Sequence, residues 1–269
     1  MTDARPLAVQ LYSVRDALAA DQTGSLARLA AMGFGAVEPF GVGGGGATMA
    51  AEYAATLRRD LDAAGLIARW SHVAAPLDTR TDQVLDAAEA VGLEVLVIPS
   101  PGAVPGVAGD PFDDTDATLR LGERLAEAAA NAKSRGLRLA YHNHWREFSV
   151  LPDGRTAYDV LVGAAGPDVE LQVDIYWAQT GGQRPAEVVA KYAPQVRSLH
   201  VKDGSAQDGV DQVAAGTGSV DLAGAIEAAT AAEWHVLEID ICAGDVFDVI
   251  EAGARWAVDS GASTWSVGR

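Results

Sequence analysis

SRGLRLAYHNH, residues 134–144, compresses the plan of the fold into one short stretch. A helix-compatible segment runs up to Gly136, and an apolar strand-like run then begins that ends on His142, Asn143 and His144. A glycine at this joint lets the helix finish in a left-handed turn at the least steric cost. The same joint recurs as AMGFGAVE (31–38), AAGLIARW (63–70) and AVGLEVLV (90–97). Helix, glycine and strand in that repeated order predict β-α units and parallel strands.

Outward from these joints, short β-branched runs mark eight strands: LAVQLYS (7–13), AVEPF (36–40), LIARWSH (66–72), EVLVIPS (94–100), LRLAYHNH (137–144), VELQVDI (169–175), VRSLHVK (196–202) and HVLEID (235–240). Between them, apolar residues at three- and four-residue spacing predict helices over 23–32, 49–65, 81–92 and 113–136, several starting on Asp, Ser or Thr and stopping at Gly. No linker or second compositional zone interrupts the pattern. The expectation is an α/β protein: a single (β/α)8 TIM barrel spanning 1–269 as one domain. The glycine run GVGGGG (41–46) lacks the Lys-Ser/Thr of a phosphate loop and reads as a flexible loop at the barrel mouth.

Composition narrows the partners. Twenty basic residues against 37 acidic ones give a net charge of -17, which repels phosphate backbones and anionic membranes. No nucleic acid and no membrane are expected as partners. The lone Cys242 has no intramolecular disulfide partner, and MTDARPLAVQ shows no charged start followed by an apolar signal core, so a cytoplasmic location is expected.

In a parallel barrel the last residues of each strand face the catalytic end. Polar side chains collect there: Gln10 and Tyr12, Glu38, His72, His142 with Asn143 and His144, Asp174, His200 with Lys202, and Glu238 with Asp240. Four groups of metal-ligand type, His142, Asp174, His200 and Glu238, end four consecutive strands, so they converge on one side of the mouth. Two imidazoles with two carboxylates suit one divalent metal, with manganese first and zinc, cobalt or nickel as alternatives, better than they suit calcium. Such a centre stabilises an enediolate while a carboxylate at its edge moves the neighbouring proton.

At VQLYSVRD (9–16), GFGAVEPFG (33–41), YHNHWREF (141–148), VDIYWAQTGG (173–182), LHVKDG (199–204), GTGSVDL (216–222) and VLEID (236–240), the chain resembles the sugar phosphate isomerase/epimerase group of the xylose-isomerase-like TIM barrels. The resemblance covers nearly the whole chain. It implies a metal held by the ends of strands five, six, seven and eight, which fall on His142, Asp174, His200 and Glu238. It departs at the first of these, where many relatives carry Glu and this chain carries His142. Relatives that epimerise ketoses pass a proton between glutamates on strands five and eight; with His142 that pairing is lost, and Glu38, Glu147 or His144 are the available substitutes.

The resulting expectation is a metal-dependent isomerase or epimerase of a keto-sugar or related polyol, with a small carbohydrate as partner. Glu238 serves as ligand and base, Lys202 stabilises the oxyanion and His144 assists at the substrate hydroxyls. Gln10, Tyr12, Glu38, His72, Arg146 and Trp177 are candidate substrate contacts, with Arg146 the group for a phosphate or carboxylate. The alternative is a lyase or dehydratase that eliminates from a 3-keto-sugar or keto-glycoside. An abasic-DNA endonuclease is disfavoured by the charge and by only five histidines, and a barrel without activity is the non-enzymatic alternative. Related barrels form dimers or tetramers, so a homo-oligomer is also in view.

Overall fold

Side chains alternate along a strand, so closing a sheet into a barrel turns one face of every strand into the bore and the other toward the helices. In the computed structural model, which describes residues 4–266, the strands are β1 (Arg5–Gln10), β2 (Val37–Glu38), β3 (Phe40–Val42), β4 (Trp70–Val73), β5 (Val95–Ile98), β6 (Arg138–His142), β7 (Val169–Asp174), β8 (Val196–Val201), β9 (Trp234–Leu237) and β10 (Ser263–Trp265). Every pairing between them is parallel. The second stave is split at Pro39: β2 pairs β1 through Val9↔Val37 and Gln10↔Glu38, and β3 pairs β4 through Phe40↔His72. Proline has no N–H for a ladder, but its carbonyl accepts from the His72 backbone N–H at 2.9 Å and the Ser71 hydroxyl at 3.0 Å. Counting β2 and β3 as one stave, the (β/α)8 barrel is as expected.

One strand lies beyond the eight. β10 pairs the first half of β1, from Arg5↔Ser263 to Leu7↔Trp265. It sits below β2 on the same edge, where the Gly35 N–H donates to Ser266 Oγ at 3.0 Å.

The helices follow the sequence pattern closely at Gln22–Ala31, Ala47–Ala64, Thr81–Val91 and Thr115–Ser134. Asp21 and Asp114 cap two of them by accepting from Gly24 N and Ala117 N. Gly65 and Gly92 close two others with φ of 70° and 87°. The glycine run differs from expectation, because β3 takes its first part and Gln83 Nε2 holds the Gly43 and Gly45 carbonyls at 2.7 and 2.9 Å. The loop is tied to the following helix.

The bore is layered. Ala8, Ala36 and Val236 form one small apolar cluster, and Trp70, Val95, Val97 and Ala140 another, separate from the large core between strands and helices. Two residues further along the same strands come Gln10, Glu38, Glu238, His72 and His142. The period of two thus converts an apolar floor into a polar layer at the catalytic end in a single step.

Beyond β8, Asp203 organises the loop that carries GTGSVDL. Its buried carboxylate accepts from the backbone N–H groups of Gly204 (2.8 Å), Gly216 (2.9 Å), Gly218 (2.9 Å) and Val220 (3.1 Å). A Cβ at Gly218 would run into that carboxylate, which explains the glycine. Removing the acceptor leaves these donors without a partner. Asp203→Ala should therefore cost about 3–5 kcal/mol in urea unfolding and speed proteolytic cleavage within 204–220.

Candidate metal and active site

The polar layer is a continuous network with Gln172 at its hub. Gln172 stands on β7 one bore position below Asp174. Its Nε2 donates to Glu38 Oε2 at 2.6 Å, and its Oε1 lies 2.9 Å from His72 Nε2 and 3.2 Å from His142 Nδ1. A carbonyl oxygen only accepts, so both imidazole nitrogens carry hydrogens. The other His142 nitrogen, Nε2, is left with its lone pair. Burial, reinforced by the positive charges of His200 and Lys202, holds the His142 pKa well below its usual value, so the ring is neutral. A neutral imidazole oriented through its far nitrogen is the form a metal requires.

His200 lies between two carboxylates. Its Nδ1 is 2.7 Å from Glu238 Oε2 and its Nε2 is 2.7 Å from Glu38 Oε1. Burial disfavours a charged ring there, but Glu238 and Glu38 outweigh it and raise the His200 pKa to about 10. Glu38 is fixed from below by Gln10 Nε2 at 2.6 Å. Lys202, fully buried, places its ammonium 2.6 Å from Glu238 Oε2, 2.8 Å from Asp240 Oδ2 and 3.0 Å from Asp174 Oδ2. Burial pushes the Glu238 carboxyl up, but Lys202 and His200 draw it well below the usual range.

The four sequence-derived ligands come together. One ligand atom from each of His142, Asp174, His200 and Glu238 lies within 4.8 Å of the others. Asp174 is anchored by accepting the Trp177 N–H on Oδ1 at 2.9 Å. Its Oδ2 is buried, accepts no hydrogen bond from any described residue, and lies 3.9 Å from His142 Nε2. Burial lifts the Asp174 pKa to about 6. A buried carboxylate oxygen paired only with the Lys202 ammonium, beside an imidazole lone pair, is a donor set that fits a divalent ion. His72 also approaches His142 and His200, but its Nε2 is directed at Gln172 and Glu38.

A cavity of about 610 Å³ opens above this layer. His72, His142, His144, Lys202, Glu238 and Asp240 form its polar side, and Tyr12 stands at its rim. The structure does not bring every candidate contact to the cavity. Gln10 and Glu38 are buried beneath it with their polar groups engaged by the network, so they position His200 and Gln172 and do not face a substrate. Trp177 is buried against Trp145, with the Lys202 ammonium 5.4 Å from its ring centre. Arg146 points outward, its guanidinium bound to Asp110 at 2.5 Å and Asp113 at 2.8 Å. Of the three substitutes for a strand-five carboxylate, Glu147 lies behind the strand, accepting from the Tyr141 hydroxyl at 2.8 Å, and Glu38 lies below. His144 alone reaches the cavity; burial and the Lys202 cation lower its pKa to about 4, so it is neutral.

Gln172 was not among the sequence candidates for the site, and Asp240 was given no role beyond its place at a strand end. Gln172 was detectable as the polar residue two before Asp174 in an otherwise apolar run. Asp240, two after Glu238, binds both Lys202 and Gln212, whose Nε2 donates to Oδ2 at 2.9 Å.

The family model described as a xylose isomerase-like TIM barrel matches residues 26–258. No curated protein matches the chain. Among solved structures, a sugar phosphate isomerase/epimerase from Parabacteroides distasonis is 22% identical with a TM-score of 0.80, covering 98% of this chain and 96% of that one. A probable 3-DHS dehydratase involved in petrobactin synthesis, from Bacillus anthracis, is 14% identical with a TM-score of 0.68, covering 94% and 98%. A xylose isomerase-like TIM barrel protein from Mycobacterium smegmatis, in complex with magnesium, is 16% identical with a TM-score of 0.68, covering 97% and 99%. At these identities the likeness shows the shared barrel.

Two outcomes follow for metal binding. Gln172→Leu keeps the four ligands but frees His142 and Glu38, and should weaken metal affinity by roughly 10–100-fold in a calorimetric titration. Affinity should also rise with pH. His200 holds both protons up to about pH 10, so an ion taking Nδ1 must displace one, giving about a tenfold gain per pH unit from about pH 7 to 8.5. Below the Asp174 pKa of about 6 a second proton must leave, and the dependence steepens. Titrations in buffers of different ionisation enthalpy count the protons released.

Proposed function

Because this chain belongs to the xylose isomerase-like TIM barrel family, we propose that it binds one divalent metal ion and removes the proton beside the carbonyl of a keto-sugar, as an isomerase or epimerase. The observation that carries this reading is the convergence of His142, Asp174, His200 and Glu238 under an open cavity. When bound, the ion supplies positive charge to the carbonyl and neighbouring hydroxyl oxygens and so favours the enediolate. We assign manganese as the ion, with zinc, cobalt or nickel as alternatives.

The side chains do the rest. Glu238 is ionised, lines the cavity and takes the proton. Burial works against a charged Lys202, yet Asp174, Asp240 and Glu238 keep it protonated, so a fixed cation faces the oxygen that gains charge. Neutral His144 meets a substrate hydroxyl. Glu38, through His200 Nε2, sets which imidazole nitrogen faces the ion.

One observation favours a second reading, elimination. His142 and His144 occupy the wall where a second carboxylate would stand, so the cavity's carboxylates, Glu238 and Asp240, sit on the β8–β9 side alone. Proton removal without delivery to the opposite face suits loss of a substituent next to the new carbanion. Unchanged product mass with solvent deuterium at the α-carbon supports isomerisation; loss of water or an aglycone supports elimination.

The wild type should hold about one metal ion per chain and exchange the α-proton of a keto-sugar with deuterium oxide. His142→Ala, Asp174→Ala and His200→Ala should each lower both by roughly 100-fold or more. Lys202→Met should keep the metal and slow exchange by roughly 100-fold. Intact metal content and exchange in all three ligand variants would overturn the reading.

A further inference from the structure

The cavity has two sides of opposite chemistry. Its titratable groups come from β4, β6, β8 and β9 and face inward over the polar layer. The other side is built by β3, the end of β4 and the loops after β4 and β5, and apart from Ser100 and Arg80 its lining is apolar or lacks a side chain: Phe40, Gly41, Val73, Ala74, Gly102 and Ala103. Phe40 meets Tyr12 edge to face, ring centres 5.3 Å apart, so an aromatic pair borders this side. Gly41 and Gly102 expose backbone, and a Cβ built on Gly102 meets nothing closer than Ser100 Oγ at 3.8 Å. Arg80 is the only charge on this side. Among the described residues its exposed guanidinium has no ion pair or hydrogen-bond partner, although acids outnumber bases by 37 to 20 in the chain.

From this asymmetry we infer that the cavity holds two subsites, and that the second takes an aromatic aglycone joined to the keto-sugar on the metal side. The inference rests on the keto-sugar reading above and names its substrate class as an aryl keto-glycoside. A polyol needs hydrogen-bonding partners over its whole surface, and the second side offers few. A flat ring needs apolar area and close backbone approach, and that side supplies both. Arg80, uncommitted to any acid, meets the phenolic oxygen or carries its charge. In a 3-keto-glycoside the chemistry closes without a co-reactant. Base takes the C2 proton, the C1–O bond breaks, a C1–C2 double bond forms, and the aglycone leaves with the electron pair and collects a proton.

The test compares p-nitrophenyl 3-keto-β-glucoside, methyl 3-keto-β-glucoside and a 3-keto-disaccharide on the metal-loaded protein, by binding titration and by deuterium incorporation at C2. The aryl compound should bind about tenfold tighter than the methyl one. Gly102→Leu and Ala103→Trp, which fill the second side, should each reduce this preference to within about threefold while metal content and exchange on the methyl compound stay within about twofold. Two substitutions on one loop guard against a folding defect in either, which the metal content would report. Equal binding of aryl and methyl compounds, or tighter binding of the disaccharide, overturns the subsite while exchange still supports the keto-sugar chemistry. Tight aryl binding with no exchange on any compound overturns the chemistry while leaving the subsite in place.

Discussion

The Glu38 carboxylate is buried in the barrel bore, and the rest of the polar layer is arranged around that fact. An isolated buried carboxylate costs far more than a folded domain has to spare. Here Gln10, Gln172 and His200 all direct donors at it, at 2.6 to 2.7 Å. Satisfying Glu38 fixes the Gln172 amide, which fixes the His142 and His72 rings, and it fixes one nitrogen of His200. The His142, His72 and His200 rings are therefore positioned by a buried charge in their own layer.

The same layer is short of positive charge. Glu38, Asp174, Glu238 and Asp240 face only His200 and Lys202 as cations within the network. Lys202 partly makes good the deficit by touching three carboxylates, yet it leaves Asp174 Oδ2 without a hydrogen bond. A divalent ion would answer both the charge and an oxygen that has only the Lys202 ammonium for a partner. Burying paired charges is a weak route to stability, so the persistence of so many here is better explained by what they hold than by what they add to folding.

Much of this was legible because the barrel obeys a strict period. The apolar-to-polar step from Ala8 to Gln10, Ala36 to Glu38, Ala140 to His142 and Val236 to Glu238 is visible in the letters, and it gives the staves and the ligand set together. Legibility fails where the period does. β6 ends at His142, so counting by twos says nothing about Arg146 and Glu147, which follow in a short 3-10 turn and face away from the cavity. Glu38 and Gln10 obey the period, but hydrogen-bond partners are not encoded in it, and their polar groups are taken up within the layer instead of facing the cavity. β10 escaped notice because three residues, Ser263–Trp265, carry too little pattern to separate a strand from a loop. Pro39 breaks a stave in two without breaking the barrel, since each half pairs with a different neighbour.

The replacement of a carboxylate by His142 bears on chemistry through geometry as well as charge. In the first subsite, Glu238 and Asp240 lie with Lys202 on the β8–β9 side, while His72, His142 and His144 make the opposing wall. Burial keeps His142 and His144 neutral through the physiological range, so they accept or donate hydrogen bonds and bring no negative charge to that wall. A proton taken by Glu238 has no carboxylate among the described residues across the cavity to return from. Chemistry confined to one face can shift a proton between adjacent carbons or expel a leaving group, whereas inversion at a single carbon would need a second base. The one-sided distribution of carboxylates therefore separates this centre from a two-glutamate epimerase more firmly than the metal ligand set does.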